Sequence, residues 1–142
     1  MGELVNHCPD TIFLVNHCAN ADPRAFFDPA EDLTEKPSHN RDEWIRDVKN
    51  IASNKNVACK ISGLVTRVPG HTLTANNLAP AVNQCLDIFG SDRVMFASDW
   101  PVCLRKMTLG NWLGILQEIV STRSIADQRK LFHDNAAKYY KI

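Results

Sequence analysis

No two cysteines of this chain are spaced as CxxC, no glycine-rich phosphate loop follows any extended stretch, and no uninterrupted apolar run exceeds Ile12 to Val15. Each absence removes a class. A run that short cannot cross a bilayer, so no membrane span is expected. No basic, apolar, small-residue leader opens the sequence, which points to a cytoplasmic protein. Charge of one sign is missing too: 16 Lys and Arg balance 16 Asp and Glu. Without a basic stripe, a sequence-neutral grip on nucleic acid is not expected. The cysteines, Cys8, Cys18, Cys59, Cys85 and Cys103, are odd in number. They read as small apolar fillers in a reducing compartment, not as a disulfide framework or a zinc knuckle. The missing glycine loop weighs against a nucleotide-binding sheet.

What is present fits one folded domain with one core, since 142 residues carry 44% hydrophobic side chains. The chain is organised around Val94-Met95-Phe96-Ala97-Ser98-Asp99-Trp100-Pro101, where a β-capable apolar run stops at a carboxylate, an indole and a proline. In parallel α/β sheets, ligands and catalytic groups gather at the carboxyl ends of the strands. Asp99 is therefore the first candidate site residue. A second reading stays open from this stretch alone, that Asp99 caps the turn before Pro101.

Strand and helix alternate along the chain. Residues 11–18 form an almost wholly apolar run, ending at Asn16-His17, of the kind covered on both faces. Residues 19–40 hold Asp22-Pro23, Asp28-Pro29 and Lys36-Pro37. So long a loop is uncommon unless it is functional, and it reads as a lid over the first strand or as a solvated insertion. His39 is expected to be solvated on it, and His7 and His133 to be surface or helix-packing residues. Residues 41–53 form an amphipathic helix with Trp44, Ile45, Val48, Ile51 and Ala52 inward. A second strand spans 57–62 and a loop spans 64–77. A helix over 78–89 has Pro80 in its first turn and Gly90 as its stop. The third strand covers 93–98, a helix covers 109–122, and a shorter one over 124–133 starts with Ser124 and Asp127 at capping-box spacing. A last amphipathic turn spans 135–140. This alternation is the unit of a parallel sheet with right-handed crossovers, either part of a doubly wound sheet or part of an eightfold barrel.

Four segments carry a resemblance that spacing alone does not supply. They are Val15-Asn16-His17-Cys18, Asn56-Val57-Ala58-Cys59-Lys60-Ile61-Ser62-Gly63-Leu64, the block from Phe89 through Ser98-Asp99-Trp100-Pro101 to Val102, and Asn135-Ala136-Ala137-Lys138-Tyr139-Tyr140. In this order they resemble the carboxyl-terminal part of the amidohydrolase-related lactonases, metal-dependent-hydrolase barrels that include fuconolactonase-like and dicarboxylate lactonases. The family's Asp-His pair is Asn16-His17 here, and the glycine that usually follows the cysteine is Ala19. No two histidines form the family's first-strand His-x-His.

The resemblance implies an α/β chain forming the last three strand-helix units, strands six to eight, of a (β/α)8 barrel plus the carboxyl-terminal helices. Residues 1–142 would then be one incomplete barrel domain. It implies hydrolysis of a lactone by Asp99-activated water, with His17 holding the carbonyl oxygen or, together with Asp99, one zinc-like divalent metal. Metal-free chemistry is equally compatible with the family. Trp100, Arg67 and His71 fall on the right side of such a barrel to touch a small lactone or carboxylic-acid substrate. Two other readings remain, a non-catalytic remnant or interaction module and a related barrel decarboxylase. With open strand edges, the isolated chain is expected to be inactive and to self-associate or pair with a complementing amino-terminal half.

Overall fold

Three runs rich in β-branched, aromatic and small apolar residues become the strands. In the computed structural model, which describes residues 2–27, 35–68 and 72–142, they are β1 (Phe13–Val15), β2 (Val57–Ile61) and β3 (Val94–Phe96). They form one parallel sheet in the order β1-β2-β3. β1 pairs Phe13, Leu14 and Val15 with Val57, Ala58 and Cys59, whereas β3 pairs Val94, Met95 and Phe96 with Cys59, Lys60 and Ile61. The two outer strands are thus staggered along β2. Both are shorter than the expected 11–18 and 93–98, and beyond them the backbone turns left-handed at His17 and at Asp99.

Alternation decides what each face does. Val15, Val57, Cys59, Ile61 and Val94 enter the core with Trp44, Val48, Leu78, Val82, Cys85, Phe89, Trp112 and Leu116 from the helices. Leu14, Ala58, Lys60 and Met95 lie on the other face, where the Lys60 ammonium stands 5.1 Å from the centre of the Tyr140 ring. Cys18, Cys59, Cys85 and Cys103 are buried free thiols, as their apolar reading required.

The helices, in chain order, are α1 (Gly2–His7), α2 (Arg41–Ala52), α3 (Ala75–Phe89), α4 (Leu109–Ile119), α5 (Ile125–Arg129) and α6 (Asn135–Tyr140). α1 is a short helix that buries Val5. α2 follows the expected pattern, with the Asn40 side chain accepting from the Asp42 and Glu43 N–H groups. α3 begins earlier than expected, since Asn77 Oδ1 accepts from both the Thr74 N–H (3.0 Å) and the Thr74 hydroxyl (2.8 Å). Pro80 therefore sits inside the helix, not in its first turn. α4 stops at Ile119, and a single π turn (Lys130–Asp134) runs α5 on into α6, so the expected break near residue 133 is absent.

Two polar side chains lock the sheet to its helices. The Arg93 guanidinium donates to the carbonyls of Ala52, Asn54, Val57 and Phe89. Buried Asn135 donates to the carbonyls of Ser91 and Val94, both at 2.7 Å, and so fastens α6 beneath β3. Among the described residues, no helix is long and apolar enough to cross a membrane.

Candidate active site

The carboxyl ends of the three strands each deliver one polar side chain to a common rim. β1 runs into His17, β2 into Ser62 and Gly63, and β3 into Asp99. β1 and β3 are the outer strands, so His17 and Asp99 approach each other across the end of β2. His17 Nε2 lies 3.9 Å from Asp99 Oδ1, with the imidazole 41% and the carboxylate 16% exposed. On the other side of the ring, Nδ1 is 2.9 Å from the hydroxyl of buried Ser62. The nearby carboxylate favours a proton on Nε2, so the Ser62 hydroxyl donates to Nδ1 and the Nε2–H faces the rim.

Room for this ring comes from Gly63. Its φ is +68°, and a Cβ placed there would stand 2.6 Å from His17 Cγ and Nδ1. The imidazole lies directly over the Gly63 backbone, where no side chain fits.

Both candidate residues also sit in left-handed backbone. Asp99 has φ 55°, and His17, Cys18, Ala19 and Asn20 run at φ 54°, 50°, 52° and 65° as one left-handed turn. For L-residues each such step costs about 1–2 kcal/mol. Backbone strain of this kind persists where the surroundings over-determine it and clusters at active sites. Here the Trp44 indole N–H donates to the Ala19 carbonyl at 3.3 Å, the Ala21 N–H returns to the Cys18 carbonyl at 3.1 Å, and Arg67 donates to Asn20 Oδ1.

The loop beyond this turn is fastened by Asp22, whose side chain is fully buried. Its carboxylate accepts from the Arg24 side chain and from the N–H groups of Arg24 and Ser38. Burial pushes the Asp22 carboxyl up, but these donors outweigh it and hold the pKa at about 2. His39 is not the free loop residue expected. Its Nε2 accepts the Asp22 N–H at 2.7 Å, and its ring stacks on Trp44. Residues 28–34 of the expected lid lie outside the described residues.

Strands that end in a histidine and an aspartate at one rim suit water-activated acyl chemistry. The amidohydrolase family model matches residues 1–142. The chain belongs to the amidohydrolase family.

Its similarities agree with that membership. An uncharacterised protein of Sinorhizobium fredii is 31% identical over 99% of this chain and 42% of its own length. An L-fucono-1,5-lactonase of Burkholderia multivorans is 34% identical over 70% of this chain and 35% of its own length. Among solved structures, a Burkholderia multivorans amidohydrolase with bound zinc superposes with a TM-score of 0.82 at 27% identity, covering 99% of this chain and 48% of that one. This amidohydrolase chain thus spans less than half the length of the relatives it matches.

Of the residues singled out from sequence, the structure brings His17 and Asp99 together. Trp100 is 64% exposed on the segment leaving Asp99. Arg67 turns instead toward Asn20 and a cleft that neither His17 nor Asp99 lines. His71 lies outside the described residues. Sequence reasoning missed the roles of Ser62 and Gly63, although a polar residue after the run of β2 was the same signal that marked Asp99. Among the described residues, no group of three or more His, Cys, Asp or Glu side chains could hold a metal. His17 and Asp99 offer two donors, short of the three protein ligands of a catalytic zinc site. By themselves they do not complete such a set.

Proposed function

We propose that this chain supplies the base and the carbonyl-polarising group of a lactone-hydrolysing site, its strands serving as the sixth to eighth of an amidohydrolase barrel. The observation that carries the reading is the His17 Nε2 to Asp99 Oδ1 approach of 3.9 Å with Nδ1 held by Ser62. At 3.9 Å the two side chains stand beyond direct hydrogen-bond range, so each can turn its polar atom to a water or a carbonyl oxygen placed beside the pair. Asp99 takes a proton from the water as its oxygen attacks the carbonyl carbon. The Nε2–H of His17 donates to the carbonyl oxygen while it gathers negative charge. When the tetrahedral centre collapses, the ring C–O bond breaks, and protonated Asp99 returns its proton to the leaving alkoxide. One lactone and one water give one hydroxy acid.

Exposed Trp100 beside the base offers an aromatic face to the ring of the substrate. The sugar-lactone names of the relatives, L-fucono-1,5-lactonase and L-rhamnono-gamma-lactonase, support an aldonolactone as substrate class. We place the activity in the cytoplasm.

Acid release from six-carbon aldonolactones by the protein that carries this chain tests the reading. Asp99→Asn is expected to lower kcat by about 10²–10⁴-fold. Undiminished turnover in Asp99→Asn overturns the base assignment, and absence of lactone turnover in the wild type overturns the hydrolase reading.

A further inference from the structure

Beside the rim, and separate from it, lies a cleft of about 400 Å³ lined by Asn20, His39, Glu43, Trp44, Asp47 and Arg67, with no atom of His17, Ser62 or Asp99 in its wall. Its size is within the range of about 300–1,000 Å³ that small-molecule sites occupy. Its chemistry has two ends. Arg67 donates to Asn20 and, among the described residues, forms no ion pair. A guanidinium with free donors matches a carboxylate, which it binds through parallel N–H groups. Glu43 and Asp47, one turn apart on α2, are acceptors that repel a second carboxylate and favour hydroxyls, with Asp47 Oδ1 also accepting from the Arg46 guanidinium at 3.1 Å. Trp44 lies largely buried at the wall of the cleft, its ring stacked on His39 and its indole N–H held by the Ala19 carbonyl.

We propose that this cleft binds a polyhydroxy carboxylate, the open-chain acid that lactone hydrolysis releases, with its carboxylate on Arg67 and its hydroxyl chain toward Glu43 and Asp47. The identity of the ligand as product rests on the lactonase reading. A neutral lactone offers Arg67 no carboxylate, so the cleft selects product over substrate. Arg67 also holds Asn20, the last residue of the left-handed turn that His17 opens. Acid binding and the placement of His17 therefore draw on one guanidinium, and occupancy of the cleft is felt at the rim.

Titration of the full chain with gluconate, followed by calorimetry and by the Trp44 and Trp112 indole N–H resonances, tests this. Gluconate is expected to bind and to shift the Trp44 signal, not that of Trp112, which is buried on α4 away from the cleft. Arg67→Met is expected to weaken it by about tenfold or more, and Asp99→Asn by less than about twofold. Sorbitol, without the carboxylate, and acetate, without the hydroxyls, are expected to bind at least about tenfold more weakly. The proposal is overturned by no gluconate binding, by binding with an unmoved Trp44 signal, by an unchanged Arg67→Met, by loss in Asp99→Asn, or by acetate or sorbitol matching gluconate. The wild-type Trp44 shift needs no variant to fold. None of these readouts needs turnover, so lactone hydrolysis without gluconate binding sinks this proposal alone, and gluconate held by Arg67 without hydrolysis leaves the hydroxy-acid cleft and sinks only the lactonase reading.

Discussion

Gly63→Ala is the substitution that interrogates the rim most directly, because its two costs can be separated. The first is the backbone: at φ +68°, an L-residue loses about 1–2 kcal/mol relative to glycine. The second is steric, since the new Cβ would stand 2.6 Å from His17 Cγ and Nδ1 and 2.8 Å from His17 Cβ. The ring must leave, which forfeits the Ser62 hydrogen bond, worth about 1 kcal/mol. The sum is about 2–3 kcal/mol, or about 8–12 °C in Tm at roughly 4 °C per kcal/mol. A double-mutant cycle with His17→Gly separates the terms. In that background no side chain overlies residue 63, so Gly63→Ala should cost only the backbone share. Urea melts followed by tryptophan fluorescence on the four proteins give a coupling of about 1 kcal/mol if the ring lies where the structure has it. An equal cost in both backgrounds refutes the reasoning, because glycine would then serve its own backbone and not the histidine.

Ser62→Ala removes the donor to His17 Nδ1, and nitrogen chemical shifts of the imidazole should show the Nε2–H tautomer dominant in the wild type and the Nδ1–H share rising in the variant; an unchanged ratio contradicts the assigned orientation. Ala19→Gly should stabilise the chain by about 0.5–1 kcal/mol, since its φ of 52° is free for glycine; a lower urea midpoint would contradict the strain assigned to this turn. Asp22 has a folded pKa depressed from 3.8 to about 2, so its contribution is complete above about pH 4 and is lost as pH falls through 2. A shift of that size corresponds to about 2 kcal/mol, and urea midpoints between pH 5 and 2 should fall less steeply in Asp22→Asn; parallel slopes would show the carboxylate does not carry the acid sensitivity.

Local rules made the skeleton of this fold legible. The apolar runs at Val57 and Val94, the periodic face of Trp44 and Val48, and the Gly90 stop all act within a few residues. α3 was misjudged because Pro80 fits a first turn so well that the Thr74–Asn77 box, opening six residues ahead of it, was passed over. His39 was read as solvated since nothing near it in sequence asks for it. Its partner, the Asp22 N–H, stands 17 residues away and is set by the fold of the loop. Asp99 and His17 were visible as polar residues ending apolar runs, but that they meet across β2 depends on strand order, which no local pattern encodes.

Least legible was the left-handed turn from His17 to Asn20, and its position explains why. Cys and Ala have no local preference for positive φ, and Ala19 stands where a glycine would be free. At about 1–2 kcal/mol for each residue, the run would consume much of a domain's net stability of roughly 5–15 kcal/mol unless distant groups offset it. They do so from three separate elements: the indole of α2 on Ala19, the guanidinium after β2 on Asn20, and the core around fully buried Cys18. The same turn throws the His17 ring back over Gly63 toward Ser62 and Asp99. A right-handed or extended exit from β1 would carry the imidazole away from the rim, so strain in the backbone and placement of the reacting nitrogen are one feature, and it exists only in the assembled fold.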